Sequence, residues 1–266
     1  MTGGVPGLAD GLVRRGFVSG VTFQDRLVEY VEVDGLAICE GCIILGTVAE
    51  LEARSREVEA ALALGLRPKG SVVSRASLRW PGGLVPFEAD PALPDPGRVQ
   101  AAMAHWEAMT AIRFVARTPA NAPQFPDYAR FVPVEKGCNS AVGRQGGRQD
   151  VRLSPRCALR QVIHEIGHTI GLYHEQSRRD RDQCIRVHFE NMAPEHAFNF
   201  TQMLSDGVDL GPYDYASIMH YDALAFSING LPTLESIPPG IAVGGATGLS
   251  AGDVETVRRL YAAGIG

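Results

Sequence analysis

The sequence predicts an α+β fold, and three stretches carry that expectation. Between residues 17 and 46, V-T-F-Q-D-R-L-V-E-Y-V-E-V and L-A-I-C-E-G-C-I-I-L-G alternate apolar with polar residues around a D-G pair, as strands joined by a tight turn do. Helical patterns follow at 47–66 and 97–110. From His164 the chain reads H-E-I-G-H-T-I-G-L-Y-H, which sets two histidines one helical turn apart and a third beyond a glycine.

In the first helix Thr47 and Glu50 have the spacing of a capping box, and Leu51, Val58, Ala61 and Leu62 fall on one side. After Gly65, R-P-K-G-S-V-V-S-R reads as an exposed linker whose basic residues a protease could cut. The text then changes to W-P-G-G-L-V-P-F at Trp80. The helix at 97–110 carries Val99, Met103 and Trp106 as its buried stripe, with His105 a partly buried structural residue. I-R-F-V-A-R and Y-A-R-F-V-P-V read as strands, and the glycines of R-Q-G-G-R-Q-D as a turn into V-R-L-S. Ser154 and Pro155 are expected to open the histidine helix as N-cap and first helical residue. L-S-A-G-D-V-E-T-V-R-R-L-Y reads as a capped closing helix.

A chain of 266 residues with 45% hydrophobic content can bury a real core. A net charge of -5 offers no basic stripe, which argues against nucleic acid as a partner. The first thirty residues hold no sustained apolar run, so neither a signal peptide nor a membrane span is expected there. Five cysteines, at 39, 42, 138, 157 and 184, leave at least one unpaired, intermolecular or bound to metal.

The histidine stretch carries the chemistry. On a helix, His164 and His168 can grip one ion, and Gly171 can end the helix so that the chain turns back and delivers His174 as a third ligand. Three neutral imidazoles suit one zinc ion and leave a position for water, whose pKa zinc lowers to roughly 7. Glu165 is placed to take that proton and pass it to a leaving amine.

The extended form H-E-x-x-H-x-x-G-x-x-H is the zinc signature of the metzincin peptidases. With Glu175, Arg178, Asp180, Arg181 and Asp182 after the third histidine, the chain resembles the astacins within that clan. W-P-G-G-L-V-P-F resembles the first strand of their catalytic domain, and S-I-M-H-Y at 217–221 their Met-turn. The resemblance implies a zincin-like catalytic domain of two subdomains flanking a cleft, over 76–266, preceded by a propeptide over 1–75. It implies a secreted, monomeric zinc endopeptidase acting on proteins or peptides, made as a zymogen and released by an activating protease or autolysis. Met219 would floor the site. Tyr221 would be a further zinc ligand that swings away to donate to the oxyanion. G-C-N-S-A-V-G-R would be the cleft-lip strand to which substrate adds by backbone pairing, and Glu175 would receive the mature terminal ammonium. His188, His196 and His220 are left as structural or surface residues, and the sequon at Asn199 is assigned no role.

Cys138 and Cys157 match a disulfide of that family, whose other bridge is absent: Ala111 stands at its first position and the tail L-Y-A-A-G-I-G has no cysteine. Astacin propeptides silence the enzyme with an F-x-G-D element whose Asp reaches the zinc. C-E-G-C stands in its place, so Cys42 falls where that Asp would be and Cys39 where the Phe would be. A cysteine switch, in which Cys42 holds the zinc until the propeptide is cut, is the expectation. A local Cys39–Cys42 disulfide and half of a zinc ribbon stay open as alternatives, and Cys184 reads as a buried free thiol. Two other classes compete: an inactive binding protein that kept the fold, and a thiol oxidoreductase built on Cys39 and Cys42, which would need a helix after the motif.

Overall fold

The computed structural model describes residues 11–19, 25–64, 78–202 and 208–262, so the linker of the sequence analysis, at 67–75, lies outside the described residues. Among the described residues the chain forms three sheets and four α-helices. The first sheet is an antiparallel meander of β1 (Val13–Val18), β2 (Arg26–Val33), β3 (Leu36–Cys39) and β4 (Ile43–Thr47). Asp34 and Gly35, at φ 52° and 76°, make the tight D-G turn between β2 and β3. The run L-A-I-C-E-G-C-I-I-L-G is not one strand but two. Glu40 and Gly41, at φ 44° and 68°, fold it back on itself, a turn that a glutamate does little to advertise.

Helix α1 (Val48–Ala63) packs on that sheet, and its capping box closes as expected: Glu50 N–H donates to Thr47 Oγ1, and Thr47 N–H to Glu50 Oε2. Val48, Leu51 and Val58 are its buried residues, whereas Leu62 is 54% exposed. The apolar side thus ends about a turn before the sequence pattern does, where no described strand remains to cover it.

The second sheet has the order β6 (Arg113–Ala116), β5 (Leu84–Ala89), β7 (Tyr128–Pro133), β9 (Arg148–Leu153), β8 (Cys138–Asn139), with only the edge strand β8 antiparallel. Helices α2 (Gly97–Met109), α3 (Leu159–Thr169) and α4 (Ala251–Tyr261) contribute to its core, with Trp80, Trp106, Phe131, Ile163 and Ile166 all essentially inaccessible. Trp106 Nε1 donates to the Ile163 carbonyl at 3.0 Å and so ties α2 to α3. His105, on α2, accepts the Leu249 N–H, a structural role. A second, smaller core forms around Ile185, Met192, Phe200, Tyr221 and Leu234, in a region of short 3₁₀ turns and one two-stranded sheet, β10 (Ile185–Val187) with β11 (Leu234–Ser236). The histidine cluster sits where the two cores meet, because Met219 belongs to the first and Tyr221 to the second.

One expected start is corrected. Helix α3 begins at Leu159 with Ala158 as its N-cap and no side-chain cap. Ser154 and Pro155 lie in a separate turn, closed by Cys157 N–H on the Ser154 carbonyl and pinned by the Cys138–Cys157 disulfide. The bridge overrides the local helix-start signal. Cys39, Cys42 and Cys184 are free, and Cys184 is half-buried rather than buried.

A bridge closing a loop of this length, with a sequence separation of 19, removes unfolded-state entropy. Replacing Cys138 and Cys157 together by Ser is expected to lower unfolding free energy by about 2–4 kcal/mol in chemical denaturation. An unchanged midpoint and slope would show that the bridge contributes nothing.

Candidate metal centre

Helix α3 presents His164 and His168 on one face and ends as the glycine demands. Gly171 has φ 108°, its N–H donates to the His168 carbonyl, and Leu172 N–H donates to the Gly167 carbonyl. This paired closure satisfies two of the carbonyls a helix end leaves open. Trp80 Nε1 and the Tyr261 hydroxyl take the next two, at Thr169 and Ile170. The chain that leaves Gly171 brings His174 back against the helix.

The result is a cluster of four ligand atoms. Sγ of Cys42 lies 3.5, 3.3 and 3.3 Å from Nε2 of His164, His168 and His174. Nε2 of His174 is 3.1 Å from that of His164 and 3.2 Å from that of His168. A tetrahedral zinc ion with three nitrogens and one sulfur has ligand–ligand edges of about 3.3–3.6 Å, from bond lengths of about 2.0–2.1 and 2.3 Å. The cluster has that size. All four atoms fall within 4.8 Å of one another.

The protonation pattern fits the same occupant. Nδ1 of His164 donates to the Ile218 carbonyl at 2.8 Å, that of His168 to the Leu172 carbonyl at 2.8 Å, and that of His174 to Glu40 Oε2 at 2.9 Å. Each such bond places the proton on Nδ1 and turns a bare Nε2 lone pair to the centre. Burial holds His164 neutral, with a pKa lowered to about 3, and moves His168 down as well. Burial pushes the Cys42 thiol up, and the nearby Glu165 and Glu40 add to it, so a thiolate forms there only against a cation. Three lone pairs converging at hydrogen-bond distance, with no proton between them, repel unless a metal ion joins them.

Around this centre lie the other expected residues. Glu165 is buried, its Oε2 makes no hydrogen bond, and burial raises its pKa well above the carboxylate range. Met219 lies under α3: a Cβ built on Gly167 would meet its sulfur at 2.5 Å. Tyr221 packs against the His174 ring at 4.9 Å between centroids, and its hydroxyl donates to the Glu40 carbonyl at 2.5 Å. Glu175 accepts the Asp214 N–H at 2.8 Å and pairs with Arg178, while burial brings its pKa up to about 7. It borders a cavity of about 230 Å³ shared with Leu78, Val142, Asp253 and Leu260.

Two residues were not singled out by the sequence. Asp253, on α4, accepts from Ser217 Oγ at 2.6 Å and Ile218 N–H at 2.9 Å, and so holds the turn whose carbonyl orients His164. The other is Glu40. His220 is buried, with Tyr213 donating to its Nε2 and its Nδ1 donating to the Tyr221 carbonyl; burial lowers its pKa to about 4. His188 lies between Glu190 and Glu235, and His196 stacks on Phe226. Asn199 is buried, taking the Gly41 N–H and donating to the His196 carbonyl, so its sequon has no room for a glycan.

The meander reaches the second sheet here. Ser140 N–H donates to the Cys42 carbonyl at 3.1 Å and Ile44 N–H to the Ser140 carbonyl at 3.0 Å, a parallel bridge on the edge beyond β8. Val31 and Ile38 bury Phe198, and Arg152 forms an ion pair with Asp34.

Residues 72–262 match the family model of the astacin peptidases. Zinc metalloproteinase nas-6 of Caenorhabditis elegans is 36% identical over 206 residues, covering 73% of this chain and 58% of that protein. Protein SpAN of Strongylocentrotus purpuratus is 36% identical over 204 residues, covering 73% of this chain and 33% of that protein. The chain thus spans between a third and three fifths of the length of these two curated relatives. Among solved structures, the hatching enzyme zinc-protease HCE-1 of Oryzias latipes superposes with a TM-score of 0.63 at 31% identity, covering 73% of this chain and 98% of that one.

The contact between Gly167 and Met219 is tight enough to test. Gly167→Ala is expected to cost about 1–3 kcal/mol by overpacking, and Met219→Ala in the same chain should recover part of it, as a double-mutant cycle in chemical denaturation would read. Full additivity of the two would show that they do not touch.

Proposed function

Because the chain belongs to the astacin family of peptidases, we propose that it is a zinc-dependent endopeptidase made as a zymogen and silenced by Cys42 on the metal. The single observation that carries this is the convergence of Cys42 Sγ with Nε2 of His164, His168 and His174. Residues 1–75 are the propeptide and 76–266 the catalytic domain on this reading. In support, the meander of residues 13–47 and α1 stand ahead of the matched region, and cutting the segment between them would free the turn that holds Cys42.

His164, His168 and His174 would hold a zinc ion, which would supply Lewis acidity to a water and to the scissile carbonyl. Glu165, buried beside His164 with an unpartnered oxygen, takes the proton of the attacking water and delivers it to the leaving amine. Tyr221, once freed from the Glu40 carbonyl, donates its hydroxyl to the oxygen that gains charge in the transition state. Substrate backbone takes the edge at Ser140 that residues 42–44 now cover. After cleavage the new terminal ammonium enters the cavity beside Glu175, a carboxyl whose charge burial alone disfavours and a cation would restore. The Cys138–Cys157 bridge suits an exported protein.

The competing thiol-oxidoreductase reading requires a helix to open after C-E-G-C, and the structure has strand β4 there. Among the described residues, no helix is long and apolar enough to cross a membrane.

Cys42→Ala should turn the uncut chain into an active peptidase, measured as casein hydrolysis that a chelator abolishes. An uncut variant as silent as the parent would overturn the switch. In the cut enzyme, Glu165→Gln should lower peptide turnover by about a hundred to ten thousand fold; undiminished turnover would remove Glu165 from the chemistry.

A further inference from the structure

Glu40, between the two cysteines, is given no role by the catalytic reading, yet it is bound on every side. Its side chain is buried, and Oε2 accepts from His174 Nδ1 at 2.9 Å and from Ser177 Oγ at 2.7 Å. Its backbone carbonyl accepts the Tyr221 hydroxyl at 2.5 Å. It does this from φ 44°, a left-handed conformation that costs a residue with a side chain about 1–3 kcal/mol unless its surroundings hold it there. The next residue, Gly41, is held in turn by Asn199 Oδ1 at 3.0 Å.

The three histidines are not oriented alike. His164 and His168 donate their Nδ1–H hydrogen bonds to the carbonyls of Ile218 and Leu172, which belong to the matched peptidase region. His174 donates its Nδ1–H hydrogen bond to a carboxylate on the segment ahead of that region. A carboxylate on Nδ1–H fixes the ring and makes the opposite nitrogen a stronger donor to metal. With Cys42 as fourth ligand, the uncut chain therefore offers a closed site of the structural kind.

We propose that Glu40 is a positioning residue for the metal: through His174 it makes the uncut chain retain zinc more firmly than the cut enzyme, so that metal is captured before the segment is removed. The proposal rests on the reading of Cys42 as a metal ligand. It adds that the same turn parks Tyr221, so one four-residue element governs a ligand, the orienting partner of another, and the oxyanion donor.

The test compares zinc loss to a chromophoric chelator from the full, uncut chain in five forms: wild type, Glu40→Gln, Glu40→Ala, Cys42→Ser and Asp34→Ala. Glu40→Ala should weaken zinc retention about 10–100-fold, the range for loss of an orienting partner. Glu40→Gln should fall between, because its amide oxygen still accepts from Nδ1–H without the charge. Asp34→Ala breaks the outer ion pair with Arg152 and strains the left-handed turn between β2 and β3 without touching the histidine cluster, so it should behave as wild type and controls for general loosening. Wild-type retention in both Glu40 variants, with rapid loss in Cys42→Ser, overturns the role of Glu40 alone. Wild-type retention in Cys42→Ser overturns the underlying reading of Cys42. Loss in Asp34→Ala as fast as in Glu40→Ala also overturns the proposal. Should Glu40→Ala fail to fold, Glu40→Gln decides.

Discussion

Four electron-pair donors aimed at one point are the constraint on which the rest of the structure depends. Sγ of Cys42 and Nε2 of His174 each lie 3.1–3.5 Å from Nε2 of His164 and of His168, and 3.3 Å from one another, in a buried seam. Their own polarity would drive such atoms apart in a low dielectric. A divalent ion among them would outweigh that repulsion, since each lone pair would gain an attraction to the cation. The arrangement is thus the mould of an ion, and the fold around it holds the mould in shape.

It does so from both cores. The sheet of β5–β9 supports α3, and α4 reaches back through Asp253 to fix the turn at 217–219, which in turn orients His164. Met219 fills the space that only a glycine at 167 leaves open. The smaller core carries Tyr221 to the other rim through contacts with Phe200 and Phe226. The meander packs over the histidine cluster by backbone pairing at Ser140, apolar packing on Phe198 and charge at Arg152. These contacts are distributed, so the short turn at Glu40–Gly41 is held against the histidine cluster by a whole sheet.

What could be read in the sequence was what depends on local spacing. The i, i+4 histidines, the glycine after the helix, the capping box at Thr47 and the buried stripe of α2 are properties of short stretches, and the structure shows each element in its place. The features it hid are non-local. Asp253 reads as an ordinary capping residue of α4, yet its carboxylate also serves a turn more than thirty residues upstream. Glu40 meets His174 across 134 residues, which no spacing rule encodes. Ser154 and Pro155 have the chemistry of a helix start, but a disulfide three residues on claims the backbone first. The turn at Glu40 is hidden because its left-handed backbone is imposed by the burial of that glutamate and not by its own preference.

The central claim is that sulfur from the N-terminal segment shares a metal ion with the three histidines. X-ray absorption at the zinc edge of the uncut, zinc-loaded chain reads this directly. The account predicts one sulfur at about 2.3 Å with three nitrogens at about 2.0–2.1 Å, and loss of the sulfur shell once the segment is removed. A first shell of nitrogen and oxygen alone in the uncut chain would contradict it.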